Sequence, residues 1–290
     1  MNYKKPKVIS EIGCNHMGQM AIAKELIELS KLSGADVAKF QKRTNKELLT
    51  EEQYNAPHPN PRNSYGDTYG AHREFLEFTK EQHKELKEYC DKVGIEYSTS
   101  VWDVTSAKEI VEVNPTLIKV PSACNNHFEM MKILRDDYTG EVHISTGMTK
   151  KDEIETIISF FEVTGAAKDR LVVYNCTSGY PVPFEDVCLL EINNLVDKYA
   201  DRVKEIGFSG HHLGIAIDMA AYTLGASWVE RHFTKDRTWK GTDHAASLEV
   251  TGLMKLCRDL KATHQALNFK KEEILPIEQV QRDKLKYRKS

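Results

Sequence analysis

Gly207-Phe-Ser-Gly-His211-His212 and Trp228-Val-Glu230-Arg-His232-Phe-Thr234 are short apolar runs closed by polar side chains, the last two of eight. The eight are Val8-Ile12, Val37-Gln41, Ile95-Thr99, Leu117-Val120, Val142-Ser145, Leu171-Tyr174, Ile206-Ser209 and Trp228-Glu230. Several are rich in Val and Ile and too short for helices, so they read as strands. Amphipathic segments separate most of them, among them Ala21-Ser33, Lys80-Lys92, Lys151-Phe161 and Ile215-Leu224. Strands that alternate with helices pair in parallel through right-handed crossovers. Eight such units in 290 residues favour an α/β fold of the (β/α)8 TIM-barrel type over a doubly wound sheet. Gly34, Gly94, Gly140, Gly165 and Gly225 lie shortly before strands, where a helix end needs a left-handed cap. The polar tips therefore fall at the opposite strand ends, where they can meet in one pocket.

The composition narrows the function classes. Forty basic and 43 acidic side chains give a net charge of -3, which supports neither nucleic-acid binding nor a polybasic membrane contact. A small anionic substrate is compatible with that balance, because a few buried lysines create local positive potential. The six cysteines form no Cys-x-x-Cys pair, against a zinc knuckle or dithiol centre, and several, on apparent strands, read as small buried thiols. No apolar stretch follows the basic residues of MNYKKPKVISEIG, and none elsewhere approaches a membrane span, so a soluble cytoplasmic protein is expected.

One connection is long. Thr44 to Arg73 contains NAPHPNPRNSYGDTYG, expected to be a structureless insert and, from its place after the second strand, a pocket cover or partner contact. Residues 1–280 read as one barrel domain, and 281–290 as a solvated basic tail carrying Lys284, Lys286 and Arg288.

Lys39 and Lys119 sit inside apolar strands. Burying an ammonium costs several kcal/mol unless an anion meets it, so each is either half of a structural ion pair or a clamp for phosphate or carboxylate. Gln41, Thr99, Ser100, Ser122, Ser145, Thr146, Asn175, Thr177, Ser178 and Ser209 stand at or past strand ends as helix caps or ligand donors. No Gly-Lys-Ser or Gly-Lys-Thr follows a Gly-rich run, so this is no P-loop. His16, His211, His212, His232 and His244 are the candidates for metal binding or proton transfer. His211 and His232 stand apart because they tip neighbouring strands, where both rings can reach one divalent ion completed by water and substrate. Structural roles for them stay open at this level. Glu11, Asp218, Glu230 and Asp243 are the carboxylates near the tips; Glu11 and Asp243 suit proton transfer, and Glu230 beside Arg231 suits ion pairing.

EIGCNHMG, VAKFQ, STS, IKVPSACNN, ISTGM, CTSGYPVP, GFSGHHLGIAID, ERHFT and KGTDHAASLE occur in that order from Ile9 to Leu285. In these motifs the chain resembles the catalytic barrel of the sialic acid synthases, phosphoenolpyruvate-dependent enzymes that make N-acetylneuraminate, its 9-phosphate, legionaminate and related nonulosonates. The resemblance implies that His211 and His232 hold a manganese or magnesium ion. It implies that Lys39, Thr99, Lys119, Ser122, Ser145 and Ser209 hold phosphoenolpyruvate as co-substrate. Ser178 stands where bacterial members often carry Asn, and Asn175 lies in the same strand-end group. Gln41 and Tyr180 would line the sugar side, Asp243 would touch the sugar, and Glu11 would be the acidic group at the reacting centre. NSYGDTYGAH, GHH and WKGTDHAASLE look closer to the animal enzymes that use a 6-phosphorylated amino sugar.

Two departures accompany it. IKVPSACNN lacks the acid that usually precedes the Asn-Asn pair, and the family's antifreeze-like C-terminal domain is expected to be absent. The expected function is condensation of phosphoenolpyruvate with an N-acylated hexosamine, namely N-acetylmannosamine, its 6-phosphate or a related amino sugar. The alternatives are a related barrel aldolase or lyase, or a catalytically reduced sugar-binding subunit of a synthase complex. Partners are small molecules, with a homodimer compatible with the sequence.

Overall fold

In the computed structural model, which describes residues 3–287, eight parallel strands close into a barrel in sequence order. They are β1 (Lys7–Gly13), β2 (Val37–Lys42), β3 (Glu96–Val101), β4 (Leu117–Val120), β5 (Glu141–Ser145), β6 (Leu171–Cys176), β7 (Glu205–Gly210) and β8 (Trp228–His232). β8 pairs with β1 through Glu230↔Ile9 and His232↔Glu11, which closes the ring. The fold is thus the (β/α)8 barrel that the strand count implies. β6 and β8 run two residues further than the apolar runs, so Cys176 and His232 belong to strands and inherit their strict inward/outward alternation.

That alternation sorts the core. Ile9, Val37, Leu117, Val172, Tyr174 and Trp228 fill the barrel lumen as a buried plug. Outward residues such as Val8, Ala38, Phe40 and Tyr97 pack with Leu26, Leu86 and Leu256 of the surrounding helices. Helix Lys80–Val93 shows why these segments fold locally. Thr79 and Gln82 form a capping box at its start, Leu86 and Cys90 face the barrel, and Gly94 ends it at φ 79°. Such a cap contributes about 1 kcal/mol, and burying Leu86 roughly 1.5–3 kcal/mol.

One expectation is corrected. The Thr44–Arg73 connection is not structureless: it forms helices Asn45–Leu48, Glu51–Asn55 and Tyr69–Phe75, with a 3-10 turn at Pro61–Asn63. Thr50 and Thr68 cap two of the helices, and Tyr65 stacks on Phe75 with 4.9 Å between centroids. Caps and ring stacking give this Pro- and Asn-rich segment its order. Tyr65 also donates through its hydroxyl to the carbonyl of Lys240, which fastens the insert across the barrel mouth to the loop after β8. In the tail, Pro276–Leu285 is a helix with no buried residue, and 281–287 are exposed to solvent; Arg288 lies outside the described residues. Among the described residues no helix is long and apolar enough to cross a membrane.

Candidate active site

The lumen plug is the floor of a cavity of about 460 Å³ at the C-terminal ends of the strands, within the range of small-ligand sites. Tyr174 supplies the floor, and Lys119 Nζ lies 3.7 Å from its ring centroid. Around that point β1, β2, β3, β4, β7 and β8 deliver a cage of buried polar groups. Lys119 Nζ donates to Glu230 Oε2 at 2.8 Å, and Ser209 Oγ to Glu230 Oε1 at 3.1 Å. Lys39 Nζ lies 2.5 Å from Glu11 Oε2 and 3.7 Å from Glu230 Oε2, and donates to Ser100 Oγ at 2.9 Å. Both lysines therefore have carboxylate partners within the cage.

The four charges do not ionise equally. Burial opposes ionisation of Glu230, but the adjacent Lys119 and Lys39 outweigh it and hold its carboxyl far below the usual range. Burial pushes Glu11 up, Lys39 pulls it down, and the charge on Glu230 adds to a net rise. Lys39, between two carboxylates, is raised despite its burial. Lys119 is lowered, because burial exceeds the help from Glu230 and Lys39 repels it. Lys119 is thus the cation with most to gain from an added anion.

Above the cage stand the two histidine tips. The His211 and His232 ring centroids are 5.3 Å apart, and Tyr180 packs 4.3 Å from the first and 5.7 Å from the second. His211 Nδ1 donates to the carbonyl of Thr177 at 3.0 Å, which leaves the Nε2 lone pair free. Burial, then the charge His232 would carry, lowers the pKa of His211 to about 4, so it is neutral at physiological pH. Nδ1 of His232 is buried without a hydrogen-bond partner, and Asp243 Oδ2 lies 3.8 Å from it. Two facing imidazoles, one neutral with a free lone pair and the other with an unspent nitrogen, fit a divalent cation with two protein ligands. Among the described residues no cluster of three His, Cys, Asp or Glu forms there.

Two glycines allow the walls to close in. A Cβ on Gly13, at φ 53°, would stand 3.1 Å from both Gln41 Nε2 and Glu11 Oε1 and 3.7 Å from Asp243 Oδ2. Gln41 Nε2 itself donates to Glu11 Oε1 at 3.1 Å. A Cβ on Gly147 would lie 2.4 Å from Ser178 Oγ and 2.7 Å from Ser122 Oγ, so only glycine leaves those hydroxyls their place. Gly147 N–H donates to Ser122 Oγ at 3.0 Å. Ala123 lines the cavity where the resemblance leads one to look for an acid.

Glu11, Lys39, Gln41, Lys119, Ser122, Ser145, Ser178, Tyr180, Ser209, His211, His232 and Asp243 all line this one cavity. Thr99 and Asn175 do not. Thr99 pairs in register with the outward-facing Phe40, and Asn175 with Phe208, so both point at the helices. Ser100 and Cys176 take the inward positions instead. Two other candidates lie away from the cavity, Asp218 and His212: Asp218 is 2.5 Å from Arg231 Nη1 and 3.3 Å from His212 Nε2. Glu230 is ion-paired, but with the cage lysines rather than the adjacent Arg231, whose side chain leaves the opposite face of β8. His16 stacks on Phe78 at 4.1 Å, and His244 bonds Thr234 Oγ1 at 2.7 Å, so both are structural. Thr146 and Thr177 donate to backbone carbonyls and hold loops. Cys14 and Cys176 line the cavity rather than the core. The sequence reading also missed Arg43, His58, Tyr69, His72, Arg73 and Trp102, which form the outer wall. Counting in twos from Lys39 reaches Gln41 and Arg43; for the insert residues no comparable signal exists.

A closed (β/α)8 barrel with a desolvated charge cage and a facing histidine pair at its C-terminal mouth defines a barrel enzyme acting on small polar molecules. The NeuB family model matches residues 26–272, and the chain belongs to that family of nonulosonate synthases. It is 37% identical over 283 residues to the N-acetylneuraminate-9-phosphate synthase of Homo sapiens, covering 96% of this chain and 76% of that one. With the N,N'-diacetyllegionaminic acid synthase of Campylobacter jejuni it shares 32% identity over 264 residues, 91% of this chain and 78% of the relative. Among solved structures, the N-acetylneuraminic acid synthetase of Leptospira borgpetersenii in complex with citrate superposes with a TM-score of 0.81 at 27% identity, covering 98% and 94% of the two chains.

Proposed function

We propose that the chain joins phosphoenolpyruvate to the open-chain aldehyde of an N-acylated hexosamine, giving a nonulosonic acid and inorganic phosphate. The observation that carries this reading is the vertical order of the cavity: a lysine cage at the floor, a histidine pair above it, and a polar sugar-sized space outside. Lys119 and Lys39 offer charge to the phosphate and carboxylate of phosphoenolpyruvate, while Ser122, Ser178, Ser145 and Ser209 offer hydroxyl donors around them. His211 and His232 are the residues that would hold a divalent cation, manganese or magnesium, which supplies Lewis-acid polarisation of a carbonyl. Gln41, Tyr180 and Asp243 orient the acceptor so that its aldehyde carbon faces C3 of phosphoenolpyruvate. C3 then forms the new carbon–carbon bond, water adds at C2, and phosphate departs by cleavage of the C2–O bond. Glu11, whose carboxyl is raised and faces Lys39, is placed to hold and return a proton as these charges develop.

The test is a phosphate-release assay with phosphoenolpyruvate, a divalent metal and a panel of hexosamines, followed by the mass of the product. A nonulosonate with stoichiometric phosphate is the expected outcome. Trapping of a covalent lysine adduct by borohydride, without phosphate release, would refute the proposal in favour of aldolase chemistry.

A further inference from the structure

The barrel lumen beneath the cavity carries ionisable groups that the condensation does not use. Along β5 the inward positions are Glu141, His143 and Ser145. Ser145 lines the cavity, whereas His143 is fully buried below it, in register with Lys119 of β4. His143 Nδ1 is 2.7 Å from Tyr174 Oη, and its Nε2 is 3.1 Å from Glu141 Oε2. Lys204 Nζ donates to the other oxygen, Glu141 Oε1, at 2.8 Å. The chain of contacts thus climbs from the opposite barrel end to the ring on which Lys119 rests.

The charges along this chain fix its direction. Burial opposes ionisation of Glu141, but the hydrogen bonds from His143 and Lys204 outweigh it and hold its carboxyl at about 2. A carboxylate only accepts, so the proton of His143 sits on Nε2. Burial lowers His143 more than Glu141 raises it, which keeps the imidazole neutral at physiological pH. Nδ1 is therefore an acceptor, and Tyr174 donates its hydroxyl to it. The ring also has space made for it: Tyr174 stands in register with Gly207 of β7, where a Cβ would lie 2.5 Å from Cε1 and 2.9 Å from Cζ. Only glycine at that position lets the ring lean across β7. On another side Trp228 meets the His143 ring edge to face at 4.6 Å and 83°.

We propose that Glu141, His143 and Gly207 form a positioning relay that sets the Tyr174 ring beneath Lys119, so that the ammonium is presented to an incoming anion. The inference rests on the condensation reading only for naming that anion as phosphoenolpyruvate. None of the three residues lines the cavity, so they act through Tyr174 rather than on the substrate. Among the described residues Lys119 has one carboxylate partner, Glu230, against two for Lys39, and the ring is its second support. A desolvated ammonium is held by the negative face of an aromatic ring, and a phenol that donates to a base is richer in electrons at that face.

The test is isothermal titration of inorganic phosphate and of phosphoenolpyruvate into the wild type and its variants, with urea unfolding in parallel. His143→Asn puts an amide oxygen close to the Nδ1 position, where it still accepts from Tyr174, and His143→Gln reaches Glu141 but not the hydroxyl. Both anions are expected to bind about 10-fold more weakly to His143→Gln and within about 3-fold of the wild type to His143→Asn. In steady state the loss falls on KM for phosphoenolpyruvate and leaves kcat within about 2-fold. Tyr174→Phe keeps the ring and drops the hydroxyl, and it carries the test where a polar substitution in the lumen does not fold. It weakens binding as His143→Gln does, and the double variant is no weaker than either single one. Equal affinities of the Asn and Gln variants, a loss confined to kcat, or additive losses in the double variant overturn the relay. Phosphate affinity is read without turnover, so the expected ranking upholds the relay even where no nonulosonate forms and the condensation reading falls. Turnover with an affinity indifferent to all three single variants overturns the relay alone, and a wild type that binds neither anion overturns both.

Discussion

Glu230→Gln removes one negative charge from a cage in which Glu230 is 6% exposed and faces Lys119 at 2.8 Å and Lys39 at 3.7 Å. Leaving a buried cation without its partner costs about 3–5 kcal/mol. Glutamine keeps an oxygen that can accept from Lys119 or Ser209, so a loss near the lower limit, about 3 kcal/mol, is expected. With a urea m-value of about 3 kcal/mol/M, the unfolding midpoint falls by about 1 M. The deficit depends on pH. Lys119 is already lowered and falls further without Glu230, while the unfolded lysine stays near its ordinary value. Between those two values the unfolded chain binds more protons, so the stability of the variant rises with pH and the deficit shrinks from pH 7 towards pH 10. An added anion takes the place of the lost carboxylate, so inorganic phosphate raises the midpoint of Glu230→Gln more than that of the wild type. Urea unfolding at pH 7 and 9, with and without phosphate, reads all three effects. A loss below 1 kcal/mol that is independent of pH and phosphate would show that the lysines do not depend on Glu230.

Replacing His211 or His232 by Ala is expected to abolish retention of manganese in equilibrium dialysis together with turnover; normal metal-dependent turnover in the double variant sinks the ligand assignment. Thr99→Val removes a buried hydroxyl that has no hydrogen-bond partner, so stability changes by no more than about 1 kcal/mol and KM for phosphoenolpyruvate stays constant, whereas Ser100→Ala, which strips an acceptor from Lys39, raises it. Equal effects of the two substitutions would contradict the strand register. His16 and His83 are buried, and burial lowers both to about 3. The unfolded chain therefore takes up their protons first as pH falls from about 6.5, and each costs roughly 2 kcal/mol of stability by pH 5, so a wild-type urea midpoint equal at pH 5 and 7.5 would refute their neutral burial.

The barrel was legible because its signal is local and repeated. Eight short apolar runs, several rich in Val and Ile and most of them separated by amphipathic segments, leave few other closed arrangements, and every strand lies within a residue or two of its run. His211, His232, Lys39 and Lys119 were legible for a related reason, since a polar group inside or at the tip of a parallel strand has few places to go. What the run itself cannot state is which of two neighbouring side chains points inward. Thr99 and Asn175 were read as donors and Glu230 was tied to Arg231, and the period of two reversed each assignment once the register was known. The outer wall was legible least of all. His58, Tyr69, His72 and Arg73 come from a segment with no periodicity, ordered by caps, ring stacking and one hydroxyl reaching Lys240. The sequence by itself thus determined the scaffold and which polar residues stand at its strand tips, because spacing and residue type act over a few positions. Only the tertiary structure decided which carboxylate serves which lysine and what surrounds the acceptor space, because those pairings join residues as far apart in the chain as Lys39 and Glu230.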